Sequence, residues 1–243
     1  MKPRVSFVIP SRNENPSVVA ATLEGLLATS QGFWREIIVI DDGSDIHPVS
    51  FSHPEVIVLR NPEPVGASRA RRQGCQVSSG EVLVILDAHM SFGASWLEPL
   101  LVATETNSLV CSPWMDYTRT KTYCLGADFS WCAERNYAKR RNPGIGYRVR
   151  DRRPNDALIE IPMVIGACYA LRRTVYHKLG SYNPNFEIYG CEEQDLSIRA
   201  WMAGFGVKLV TGAMVGYLDR GSGGTPYGVS RLFNGKKISC SSE

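Results

Sequence analysis

Short β-type runs alternate along the chain with stretches of helical period. Val5, Ser6, Phe7, Val8 and Ile9 form a β-rich run closed by Pro10 and predict a first strand. The polar residues Ser11, Arg12, Asn13, Glu14 and Asn15 follow. Val18, Val19, Leu23, Leu26 and Leu27 then recur at helical spacing, with Ser17 placed to cap the helix. Further strands are predicted over 36–40, 56–59 and 82–86, with a basic helix over 67–76. A helix over 96–106 and a strand over 109–111 come next. The second half is less regular. The stretch 117–154 is rich in Arg, Tyr and Trp without a clear period. Beyond it the pattern predicts a strand over 164–171, helices over 174–179 and 193–203, and a strand over 207–210. From Gly221 the chain turns to Gly and Ser with Lys236 and Lys237, and 221–243 is expected to be a mobile tail.

Strands alternating with helices predict an α/β fold, a mostly parallel central sheet flanked by helices with right-handed crossovers. Ligands in such sheets sit beyond the carboxyl ends of the strands. Three predicted strands end in polar signatures: Pro10-Ser11-Arg12-Asn13-Glu14, Asp41-Asp42-Gly43-Ser44 and Asp87-Ala88-His89. Parallel strands would bring all three to one edge and make one candidate site of them.

Composition narrows the picture. With 243 residues, 44% hydrophobic and 21% charged, the chain suits one large α/β domain with a real core. A net charge of +3 gives no reason to expect nucleic-acid binding. The local basic cluster of Lys139, Arg140, Arg141, Arg148, Arg150, Arg152 and Arg153 reads either as a solvated loop or as a surface for an anionic acceptor or an acidic membrane face. Seven cysteines scattered without CxxC pairs offer no zinc site and no disulfide framework, and a cytoplasmic location is expected. No apolar stretch reaches membrane-spanning length, so at most peripheral membrane contact is expected.

Four constellations carry candidate chemistry, each with a plainer structural reading. Asp87 and His89 can offer an oxygen and a nitrogen to one divalent cation, with manganese favoured and magnesium an option, or they are a capping Asp and a surface His. Asp42 can accept a hydrogen bond from a base, or it shapes an Asp-Gly turn. Gly66 allows close backbone approach at a helix start from which Arg69 and Arg71 can reach phosphate, or the helix is simply basic. Glu192, Glu193 and Asp195 can include a general base for an acceptor hydroxyl, or they satisfy a helix dipole.

These residues resemble the family-two glycosyltransferases in the first half. The second half resembles the polypeptide N-acetylgalactosaminyltransferases: Ile165 to Arg173 reads IGACYALRR, Leu179 to Asn183 reads LGSYN, and Gly190 to Trp201 reads GCEEQDLSIRAW. The match runs from about residue 5 to about 218. The resemblance implies a GT-A fold over 1–220, with a nucleotide-binding half over about 1–115 and an acceptor half over about 116–220. It implies a metal-dependent enzyme moving a sugar from a UDP-sugar to a peptide, a glycan or a small metabolite. Pro10, Ser11, Glu14 and Asp42 would hold uridine, and Gly66 and Arg71 would lie beside ribose and diphosphate. Asp87 and His89 would bind the cation, Gly166 and Ala167 would line the sugar and acceptor pocket, and Glu192 and Glu193 would face the sugar.

Two departures stand out. The peptide-modifying relatives carry a third metal ligand, a histidine, where this chain has Tyr217, and Asp219 or water would have to substitute. Their lectin domain, which follows the catalytic one, is not expected within these 243 residues. Inverting members use a carboxylate at the position of Glu193, whereas retaining relatives have an amide there and a Glu matching Glu192; inversion is preferred. A non-catalytic nucleotide-sugar-binding module is the alternative. A nucleotidyltransferase would want a Gly-rich, Lys-bearing loop that 10–16 lacks. Arg220-Gly221-Ser222-Gly223-Gly224 is either a lid over the diphosphate or a frayed end.

Overall fold

In a computed structural model of the chain, residues 2–131, 145–149, 156–186 and 190–218 are described. The basic side chains of 139–153, Asp219, the tail 221–243 and its candidate lid lie outside the described residues. The first half comprises β1 (Val5–Ser11), α1 (Pro16–Thr29), β2 (Arg35–Asp41), β3 (Val56–Arg60), α2 (Ala67–Val77), β4 (Val82–Leu86), β5 (Met90–Phe92), α3 (Leu97–Thr104) and β6 (Leu109–Cys111). The second half adds β7 (Trp114–Asp116), β8 (Thr122–Cys124), β9 (Ala127–Trp131), β10 (Ile145–Val149), β11 (Leu158–Glu160), β12 (Cys168–Arg172), α4 (Arg173–Lys178), α5 (Glu192–Met202), β13 (Val207–Val210) and β14 (Val215–Tyr217).

The main sheet has the order β11-β13-β6-β12-β4-β1-β2-β3. β3, β2, β1, β4, β6 and β13 run one way, while β12 and β11 run the other, so the sheet is mostly parallel as expected. β4 is buried at every position, which is why it reads as the unbroken apolar run Val82-Leu83-Val84-Ile85-Leu86. α1 packs Leu23 and Leu26 with Phe7 and Ile9 on one face. α2 crosses the other face so closely that a Cβ on Gly74 would fall 2.4 Å from Val8 Cγ1. A small sheet, β5-β14-β7-β8, stands beside the main one. No helix among the described residues is long and apolar enough to cross a membrane.

Several expectations are corrected. Asn15, not Ser17, caps α1: its side chain accepts from the Ser17 N–H at 3.0 Å, and Pro16 fills the first helical position, where a missing N–H loses nothing. Of the strand expected over 164–171, only the part from Cys168 is extended. Gly166 and Ala167 form a turn because Ala167 C=O must meet the Asp87 N–H at 3.1 Å. The stretch without period, 117–154, contains β8, β9 and β10, strands too short to imprint an alternation. The remaining boundaries differ by a residue or two, as frayed ends do.

Candidate active site

β1, β2 and β4 are adjacent and parallel, so their polar ends share one rim. Pro10 pairs with Ile40 and Ser11 with Asp41 in the β1–β2 register. Ser11 Oγ is buried there without a hydrogen-bond partner among the described residues. Asp42, expected to contact a base, has protein partners of its own. It is fully buried, and its carboxylate accepts from the N–H groups of Val65 and Gly66, both at 2.8 Å, and from Asn61 Nδ2 at 2.9 Å. It therefore fixes the loop that enters α2. Arg12, which sequence reasoning did not single out, clamps the same turn: Nη1 donates to the C=O of Asp42 at 2.9 Å and of Gly43 at 3.2 Å. Its position inside the polar run after β1 was the only available signal.

Gly66 opens α2 with φ 93°, a left-handed conformation that glycine adopts without strain. One turn on, Arg71 was expected beside ribose and diphosphate. Its side chain is only 4% exposed and divided between two carboxylates. Nη1 donates to Glu193 Oε1 at 2.8 Å and Nη2 to Asp87 Oδ1 at 3.1 Å. The guanidinium also lies against the Tyr169 ring, 6.0 Å from its centroid. Arg71 thus joins the end of β4 to the first turn of α5.

Glu193 leans over the turn preceding β12: a Cβ on Gly166 would fall 2.8 Å from Glu193 Oε1. This explains a glycine at a position with ordinary φ. Gly166, Ala167, Asp87, Arg71 and Glu193 are therefore one connected group. Glu192 was expected to face a sugar. It is fully buried, accepts from the Gly190 N–H at 2.7 Å through Oε2, and leaves Oε1 without a partner among the described residues. Burial and the neighbouring Glu193 charge push its carboxyl up to about 7, against the opposing pull of Arg71.

His89 is buried beside two groups. Its Nδ1 lies 3.4 Å from Glu14 Oε1, and its ring meets Tyr217 edge-on with centroids 4.6 Å apart. Glu14, expected to hold uridine, is thus turned toward the imidazole. A carboxylate beside the imidazole is a common neighbour of a metal-binding histidine. Asp87 Oδ2 has no hydrogen-bond partner among the described residues, and the side chain is 22% exposed. The donor set of one carboxylate oxygen and one imidazole fits a manganese-like cation. Tyr217 occupies the place of the expected third ligand beside His89, because β14 pairs with β5 in the register Tyr217↔Met90. No group of three His, Cys, Asp or Glu side chains that could hold a metal occurs among the described residues.

Comparison with known proteins gives this geometry a context. The model of glycosyl transferase family 2 matches residues 6–180. Polypeptide N-acetylgalactosaminyltransferase 5 of Caenorhabditis elegans is 31% identical over 90% of this chain and 37% of its own length. N-acetylgalactosaminyltransferase 7 of Drosophila melanogaster is 30% identical over 97% of this chain and 42% of its own. The chain thus spans less than half the length of these relatives. A crystal structure of GalNAc-T7 with UDP, GalNAc and Mn2+ superposes with a TM-score of 0.71 at 23% identity, over 93% of this chain and 46% of that one. That likeness shows the fold, which is GT-A.

Proposed function

The chain belongs to glycosyl transferase family 2, and from that premise we propose that it transfers a sugar from a UDP-sugar to an acceptor hydroxyl with the help of a divalent cation. The observation that carries this reading is the group at the rim of the parallel strands, where Asp87 and Glu193 face each other across Arg71. Asp87 and His89 would hold the cation, with Mn2+ favoured and Mg2+ an option. Such an ion, when bound, neutralises charge on the diphosphate leaving group. The relatives' names point to a polypeptide hydroxyl as acceptor.

Inversion with Glu193 as base remains our reading of the stereochemistry. Arg71 takes Oε1 and leaves Oε2 for an acceptor proton, and the fully buried Glu192 is poorly placed for that task. The kinship with the polypeptide N-acetylgalactosaminyltransferases favours a second reading, retention, in which Glu192 matches the Glu of the retaining relatives and the carboxylate of Glu193 stands where they have an amide. Glu193→Gln separates the two. Under inversion, donor turnover falls about 10²-fold or more with donor affinity nearly intact; under retention it stays within about 10-fold. The broader proposal is tested by UDP-sugar consumption with and without Mn2+. Binding of UDP and Mn2+ without any consumption would overturn it in favour of a non-catalytic module.

A further inference from the structure

The arginine between the two carboxylates controls more than its own charge; the inference that follows rests on the cation site proposed above. A guanidinium facing a lone carboxylate closes on both oxygens, since its planar fork matches theirs. Arg71 does not. Its Nη2 meets only Oδ1 of Asp87, at 3.1 Å, because Nη1 is held by Glu193 Oε1 at 2.8 Å. Burial of the arginine side chain and the Tyr169 ring against the guanidinium leave it little room to swing away. Glu193 in turn is fixed from behind by Gly166, whose missing side chain makes space for the carboxylate.

We propose that Arg71 is a positioning residue whose bond to Glu193 keeps it from closing over Asp87, so that Asp87 presents Oδ2 to a divalent cation. What matters at position 193 is then an acceptor oxygen at the right place, not a negative charge. A carboxylate or an amide serves; a methyl group does not. With the acceptor gone, both guanidinium donors turn to Asp87 and compete with the cation for its oxygens.

The experiment measures Mn2+ affinity of the full chain from the paramagnetic signal of free Mn2+, with far-UV circular dichroism and melting as checks of folding. Glu193→Gln is expected to bind within about 3-fold of the wild type, and Glu193→Ala to bind about 10-fold more weakly or worse, the worth of a charge-assisted hydrogen bond set against the cation. Adding Arg71→Met to Glu193→Ala removes the competitor and restores affinity to within about 3-fold. Equal weakening by Gln and Ala would mean that charge alone matters, and would overturn the proposal. So would full affinity in Glu193→Ala, or failure of the folded double variant to recover. Should the double variant not fold, the Gln and Ala contrast decides by itself. A wild type that binds no Mn2+ removes both this role and the cation site, whereas a wild type that binds with an unsplit series removes only the positioning role.

Discussion

Gly166→Ala is the sharpest test of the geometry at the rim. The new Cβ would stand 2.8 Å from Glu193 Oε1 and 3.0 Å from its Cδ, where ordinary contact begins at 3.4 Å. The carboxylate must therefore withdraw by about 0.6 Å, the difference between 2.8 and 3.4 Å. Gly166 has an ordinary φ, so alanine brings no backbone strain, and the obstacle is the far end of a flexible side chain. The fold should survive. Withdrawal stretches the Arg71 Nη1 bond from 2.8 Å toward the limit of hydrogen bonding, which forfeits about 1–2 kcal/mol and lowers Tm by about 2–8 °C in a chain this size. Activity should suffer more. A misplacement of about 1 Å at a reacting group costs on the order of 10²-fold, so a shift of this size should lower kcat/KM by about 10- to 100-fold. The assay is donor turnover with Mn2+, run beside thermal melting of the same preparations. Activity within about 2-fold of wild type would refute the claim that Gly166 exists to seat Glu193. A collapse of the fold would refute the claim that only a side-chain tip is displaced.

Two further substitutions probe the surroundings. Gly74→Ala should do the converse of Gly166→Ala: its Cβ would fall 2.4 Å from Val8 Cγ1 in the packed seam between α2 and β1, so differential scanning calorimetry should show a loss of about 1–3 kcal/mol, with Mn2+ affinity of the folded protein unchanged. Glu192 supplies a pH dependence. Its carboxyl titrates near 4.5 when unfolded and at about 7 when buried beside Glu193, so the native state holds the extra proton between these values. Its contribution to stability is therefore fully present below about pH 4.5 and lost as pH rises through 7. Glu192→Gln should flatten the melting profile between about pH 5 and 8 and melt above the wild type at the alkaline end; parallel profiles would show that Glu192 is not the group responsible.

The parts of this molecule legible in the sequence are those set by local chemistry. β4 is an unbroken apolar run because it is covered on both faces, and the polar clusters after β1, β2 and β4 mark the rim because parallel strands end together. What escaped reading depends on partners distant in the chain. Asp42 looked like a ligand for a base, yet its oxygens serve the N–H groups of Val65 and Gly66, 23 and 24 residues away. Glu14 belonged by position to the nucleotide but meets His89. Arg71 looked like a phosphate ligand, and nothing near it in sequence announces Glu193, 122 positions on. A buried cation needs an anion, and a buried anion needs donors, but a linear pattern does not say which pairs close. The pattern follows a rule: residue types at the rim were identified, while their protein partners were not. The same rule explains why Arg71 is informative. Among the described residues it is the one side chain that links the strand-end carboxylate Asp87 and the helix-start carboxylate Glu193, and any change in the distance between β4 and α5 must be felt at both.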